Sequence, residues 1–237
     1  MAARRPPTLR HASVNSPAPR AEPPLRRHQL VRLYPAAWES LLRARADLAG
    51  EPLLHDWATQ SWPLVARRRS PLDGDGVLLG LPLPPSAGKR RIAVEVRAGD
   101  VASVGPLPSV SEVLGTAPVA WQPCLQELMD LSRAYGVREG VFGSLCWQWL
   151  TGLAYLGPHS DLDIAWTLPR PDRLEGFLSD LADIDARAPV RLDGELMHAD
   201  GAGANWRELH AGGPELALKT ASRVLLYARA DFIGAAR

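Results

Sequence analysis

Apolar positions recur at two periods along this chain, and the period switches where glycine and proline gather. Trp38, Leu41, Leu42 and Leu48 follow Pro35 near helical spacing, which predicts a short amphipathic helix with proline at its first position. Period two then takes over. Trp62, Leu64 and Ala66 alternate with their neighbours, Val77 to Leu83 is a short apolar run, and Ile92, Val94 and Val96 alternate inside KRRIAVEVR, so three strands are expected. The clusters LDGDG, LPPSAG and RAGD separate them as turns. Asp73-Gly74-Asp75-Gly76 begins like a calcium loop but has no acid at the closing position, and it reads as a turn. The stretch SVSEVLGTAP at 109–118 predicts a helical turn ended by a Gly/Pro break, which places a boundary near residue 118. Residues 28–118 thus form a small α+β unit with no visible chemistry.

The second half, 119–237, alternates more cleanly. Leu125, Leu128, Leu131 and Tyr135 mark a helix that Gly136 would cap. Val137 to Phe142 predicts a strand running into Gly143-Ser144, helical character returns over Leu145 to Leu150, and Asp161 to Leu168 predicts the next strand. Leu174, Phe177, Leu178 and Leu181 mark a helix, Val190 to Met197 a strand, and Leu216 to Ala228 a strand-to-helix or helical segment. Strands alternating with helices around one core describe a second, larger domain.

Composition changes this picture at one end only. Residues 1–27 hold six prolines, six arginines and a single acid, Glu22, with no apolar period, and they read as a disordered tail. Elsewhere 46% hydrophobic and 22% charged residues are ordinary globular usage. A net charge of +1 supplies no global field to draw the chain onto nucleic acid or an anionic membrane, so an anionic ligand must be held locally. Cys124 and Cys146 have neither disulfide-scaffold nor zinc-finger spacing, which suits a reducing cytoplasm. No apolar run approaches the ~18 residues of a membrane span, and no membrane or nucleic-acid partner is expected.

In DLDIAWTL, period two puts Asp161, Asp163, Ala165 and Thr167 on one face and Leu162, Ile164, Trp166 and Leu168 on the other. Paired carboxylates repel unless water or a cation compensates them, and oxygen-only ligands suit Mg²⁺ or Mn²⁺. Taken alone, the pair also reads as a turn-capping acid followed by a solvent-facing one. The upstream Gly143-Ser144 narrows the choice. It ends a strand just before a helix, where a phosphate group meets bare backbone amides. A third acid is available in RLDGELM, where Asp193 and Glu195 share a face; Asp193 suits a base toward an attacking hydroxyl, or an Asp-Gly bend. His159, in GPHSD, reads as a turn residue.

The run FGSLCWQWLTGLAYLGPHSDLDIAW resembles the nucleotidyltransferase signature of a Gly-Ser turn followed by an acidic DxD strand. Its narrower form, GSxxWxxLTGLxYLxxxSDLDI, is similar to the phosphoribosyl-dephospho-CoA transferases of malonate decarboxylase, the holo-acyl-carrier-protein synthases. HADGAGANWRELH and LALKTASRVLL extend the likeness through the second half. The resemblance implies an α+β chain in which a small N-terminal domain precedes a nucleotidyltransferase-like domain with a mixed sheet flanked by helices. It implies attachment of a CoA-derived group to a serine of the malonate decarboxylase acyl-carrier subunit, from the triphosphoribosyl-dephospho-CoA precursor, with diphosphate released. It places catalytic, metal-holding aspartates at Asp161 and Asp163 and a third acid at Asp193. Substrate contacts fall on Gly143, Ser144, Thr151, Gly152 and Lys219, with Mg²⁺ or Mn²⁺ as cofactor. Trp147 and Tyr155, in the same segment, would line the cleft or the core. The competing expectations are a nucleotidyltransferase that uses ATP on a protein or a small molecule, and a non-catalytic module that docks a carrier.

Overall fold

A computed structural model describes residues 25–48 and 50–235. In it the alternating segments of the first half pair into a five-stranded antiparallel sheet. Its elements run β1 (Leu30–Leu33), α1 (Pro35–Ala44), α2 (Pro52–Thr59), β2 (Leu64–Ala66), β3 (Val77–Pro82), β4 (Arg91–Val96) and β5 (Val101–Gly105). The strand order is β4-β3-β2-β1-β5. One face buries Val31, Leu79, Leu81 and Val94 beneath Trp38 of α1 and Leu54 and Trp57 of α2, forming a first core. The expected tail over 1–24 lies outside the described residues. Residues 25–27, which composition groups with it, are built into the protein: Leu25 packs on the first core and Arg27 pairs with Glu195 in the second domain.

The second domain continues with α3 (Val110–Val113), α4 (Gln122–Tyr135), β6 (Glu139–Phe142), α5 (Gly143–Thr151), β7 (Leu162–Thr167), α6 (Pro171–Arg187) and β8 (Leu192–Met197). It ends with β9 (Gly203–Asn205), α7 (Trp206–His210), β10 (Glu215–Lys219), β11 (Val224–Ala228) and α8 (Arg229–Gly234). Six strands lie in the order β11-β10-β9-β8-β7-β6, and only β7 and β8, joined through α6, run parallel. The chain is therefore α+β, a small domain followed by a larger one with a mixed, helix-flanked sheet. Alternation decides its faces. Leu162, Ile164 and Trp166 of β7 and Leu192 and Leu196 of β8 are fully buried against α4 and α6, where Phe177 meets both Trp166 and Tyr135 edge-on. The opposite face carries the polar residues. α4 ends as its sequence predicts, on Gly136 in the left-handed conformation at φ 66°.

Three departures from the sequence pattern matter. Ser109 caps α3 in a reciprocal hydrogen-bond box with Glu112, but Val110, Val113, Ala117 and Trp121 belong to the second core, so the two cores divide between Gly105 and Val110. Leu216 to Ala228 is a β-hairpin instead of a strand-to-helix or helical segment. Leu216 and Leu218 point inward with period two, and Thr220 to Arg223 close the turn through the Thr220 hydroxyl and backbone. Finally, α5 is shared between the cores: Leu145 and Cys146 pack into the second, whereas Trp147 and, beyond the helix, Tyr155 pack into the first. The Trp147 ring lies 6.0 Å from that of Trp57, and the Tyr155 hydroxyl donates to the Pro82 carbonyl at 2.7 Å. These aromatics join the domains. Trp147→Ala is accordingly expected to remove about 3–5 kcal/mol from stability in urea unfolding, an effect that a residue merely lining a cleft would not produce.

Candidate functional site

The polar face of the large sheet becomes chemical at the N-terminal ends of its two parallel strands. Asp163 of β7 stands directly opposite Asp193 of β8, as its register partner in the parallel ladder. On its other side Asp163 is paired with Phe142, the last residue of β6, after which the chain turns through Gly143 into α5. Gly143 adopts φ +65°, and a Cβ built there would lie 1.8 Å from Asp163 Oδ2. Only a residue without a side chain lets this carboxylate rest against the turn. Ser144 follows in the first turn of α5, partly exposed, where free backbone amides and the helix dipole favour an anion.

The electrostatics express the crowding of acids. Burial, the neighbouring Asp193 and Asp161 and, more weakly, Glu195 push the Asp163 carboxyl up to about 7, against the pull of Arg91 from the small domain. Asp193 is fixed: its Oδ1 accepts from Asn205 Nδ2 at 3.0 Å and from the Gly194 amide at 2.9 Å. Asp161 sits just before β7 on the rim, paired with exposed Arg191 at 3.3 Å. Among the described residues no three His, Cys, Asp or Glu side chains are drawn together tightly enough to hold a metal alone. The pair Asp163 and Asp193 nevertheless fits a hard cation that takes one or two carboxylates and completes its shell with substrate phosphate oxygens and water. The raised Asp163 carboxyl is what such a pair shows without a compensating charge. The buried thiols are inert by comparison, since burial raises Cys124 to about 11 and Cys146 to about 12.

Two residues farther along β8, Glu195 is only 5% exposed and gathers three cationic side chains. Lys219 Nζ donates to its Oε1 at 2.7 Å, and Arg27 Nη2 and His28 Nε2 meet its Oε2 at 2.7 and 3.1 Å. Burial alone would raise the Glu195 carboxyl. The hydrogen bond from His28, the charge of Arg27 and the hydrogen bond from Lys219 outweigh it and hold the group well below the usual carboxylate range.

The structure thus brings Gly143, Ser144, Asp163 and Asp193 together and keeps Asp161 at the edge. Lys219 lies on a strand, bound to Glu195. Thr151 and Gly152 end α5 instead: the Thr151 hydroxyl donates to the Trp147 carbonyl, and Gly152 is the left-handed C-cap at φ 72°. They stand about 10 Å along the helix from Ser144. Arg27, His28 and Asn205 were not visible as site residues in the sequence. Arg27 and His28 meet an acid 168 and 167 positions away, which no local pattern encodes.

The sequence profile described as "Phosphoribosyl-dephospho-CoA transferase MdcG C-terminal domain" matches residues 109–230, and that of the corresponding N-terminal domain matches residues 26–106. No solved structure matches the chain. Among curated relatives, a phosphoribosyl-dephospho-CoA transferase of Bradyrhizobium diazoefficiens is 46% identical over 223 residues, covering 94% of this chain and 99% of its own. A protein of the same name from Xanthomonas euvesicatoria pv. vesicatoria is 36% identical over 207 residues, covering 86% and 91%. Another, from Pseudomonas aeruginosa, is 29% identical over 177 residues, covering 70% and 77%. With both halves matched in order and relatives aligned over nearly their full length, the chain belongs to the phosphoribosyl-dephospho-CoA transferase family.

Proposed function

We propose that this protein transfers the phosphoribosyl-dephospho-CoA group from its triphosphate precursor to a serine of the malonate decarboxylase acyl-carrier subunit, with release of diphosphate. The observation that carries the reading is the apposition of the left-handed Gly143 turn, opening α5, to the half-buried Asp163–Asp193 pair. A helix N-terminus that accepts phosphate beside two acids is the geometry of nucleotidyltransferase-type chemistry.

Each residue then has a task. The amides at the start of α5 hold a phosphate oxygen, with the Ser144 hydroxyl as a further donor. Asn205 orients Asp193 by occupying Oδ1, which leaves Oδ2 to accept the proton of the attacking serine hydroxyl. The serine oxygen forms a bond to the α-phosphorus, and the bond from that phosphorus to the diphosphate oxygen breaks. Asp163, with Asp161 at the rim, would hold Mg²⁺ or Mn²⁺, which when bound would supply positive charge for the diphosphate leaving group, while Asp193 serves as the base. The crowding of acids that raises the Asp163 carboxyl supports that assignment.

Diphosphate formation tests the reading. With the apo carrier subunit, Mg²⁺ and the triphosphoribosyl precursor, one diphosphate should appear per carrier modified, and ATP in place of the precursor should yield none. Diphosphate from ATP alone would replace the substrate and keep the site. Ser144→Ala is expected to raise KM for the precursor by about tenfold, the worth of one charge-assisted hydrogen bond, with the unfolding midpoint unchanged. An unaltered KM would return Ser144 to a purely helical role.

A further inference from the structure

The basic cluster around Glu195 has more positive charge than its carboxylate consumes. Arg27 and Lys219 are two fixed cations against one buried acid, which leaves one net positive charge before His28 is counted. The cluster is also built from distant parts of the chain, with Arg27 and His28 preceding β1, Glu195 on β8 and Lys219 on β10. Arg27 Nη1 donates in addition to the Lys219 carbonyl at 3.3 Å, so the two cations are fixed to each other as well as to the acid. Lys219 uses one of its three N–H donors on Glu195 and keeps its head group partly exposed, at 32% of the side chain.

Its position relates it to the acidic pair. Asp193 and Glu195 point to the same face, one pleat repeat or about 7 Å apart. The His28 ring lies 4.5 Å from that of Phe142, whose cross-strand partner is Asp163. The cations therefore lie beside the acidic pair on the same face of the sheet, about one pleat repeat along it. Glu195 is neither a metal ligand nor a base in this arrangement, because each of its oxygens is already taken by a cationic donor.

We propose that Glu195 fixes Lys219, Arg27 and His28 as a clamp for the polyphosphate end of the substrate, so that the segment preceding the first strand forms part of the transfer site. The proposal rests on the triphosphate-dependent transfer proposed above and names the residues that grip its leaving group. Glu195 is a positioning residue, and Arg27 and Lys219 are the ones that touch the anion.

Calorimetric titration of the full chain with inorganic triphosphate, in the absence of carrier, tests the clamp apart from the transferase reading. Arg27→Ala and Lys219→Ala should each weaken binding by at least about tenfold, and Arg27→Lys should recover part of the loss. Glu195→Gln is the decisive variant. Simple charge counting predicts tighter anion binding when a carboxylate is removed, whereas the clamp predicts weaker binding because the cations lose their anchor. Thermal unfolding of each variant accompanies the titrations. Variants that melt earlier but bind triphosphate as the parent does would overturn the clamp and leave the cluster as a tie for the N-terminal segment. Tighter binding by Glu195→Gln would overturn the positioning role. Neither result would touch the carrier-modification reaction, which stands or falls on diphosphate release with the precursor.

Discussion

Asp163→Asn is expected to give a folded protein that withstands heat better than its parent and no longer transfers. The gain in stability follows from the half-buried, crowded carboxyl. Its value in the folded chain, about 7, lies above the 3.8 of an ordinary aspartate, mainly through burial and then through Asp193 and Asp161. A carboxyl raised in this way contributes stability that is fully present below about pH 4 and is lost as pH rises through 7. A shift of this size corresponds to up to about 4 kcal/mol in metal-free protein above pH 7. Asparagine keeps the shape and removes the ionisation, so the difference in Tm between pH 5.5 and pH 8.5 should shrink in the variant. Mg²⁺ should raise the Tm of the parent at pH 8.5 and leave that of Asp163→Asn unchanged. Transfer should fall by about 10³-fold, since a lost metal ligand withdraws several kcal/mol of charge stabilisation from the transition state. A variant less stable than its parent, and still active, would make Asp163 a structural residue.

Gly143→Ala is expected to be as damaging by a different route. The new methyl would fall 1.8 Å from Asp163 Oδ2 and 2.6 Å from its Cγ, so either the turn or the carboxylate must move. A left-handed φ adds about 1–2 kcal/mol for any L residue with a side chain. Gly136→Ala separates the two contributions, because that glycine also has φ +66° but nothing within 4 Å of its Cβ position. It should lower stability by the backbone amount alone and leave transfer intact. Gly143→Ala should lower stability more and reduce transfer at least about 10²-fold, as misplacing a reacting group by an ångström does. Equal behaviour of the two variants in kinetics and melting would remove the close approach from the mechanism.

What could be read from the sequence follows from which forces are local. The period of two in DLDIAWTL assigned its faces, and burial of Leu162, Ile164 and Trp166 beside half-buried Asp163 agrees with it. The glycine that closes α4 was legible from Gly136 alone. Leu30 to Leu33 and Val101 to Gly105 are too short to show a period, and they become strands because each finds the other as an antiparallel partner. Leu216 to Ala228 carries an apolar run consistent with either period, and pairing with β9 and across the hairpin decides it. Residues 109–118 join the second core because Val110 and Val113 find their apolar partners there, a choice no local spacing records. At the site, motif spacing pointed to Gly143, Ser144, Asp161, Asp163 and Asp193, and the fold groups these except Asp161, which it leaves at the rim beside Arg191. Arg27 and His28 sit in a segment whose composition predicts a solvated tail, and only the fold brings them to Glu195.

The most direct measurement is the intact mass of the apo acyl-carrier subunit of malonate decarboxylase after incubation with this protein, Mg²⁺ and the triphosphoribosyl-dephospho-CoA precursor. The parent should add one phosphoribosyl-dephospho-CoA group to a serine, Asp163→Asn should add none, and ATP should not substitute. An unmodified carrier with the folded parent, or an equal mass gain with Asp163→Asn, would contradict the assignment of this site to that reaction.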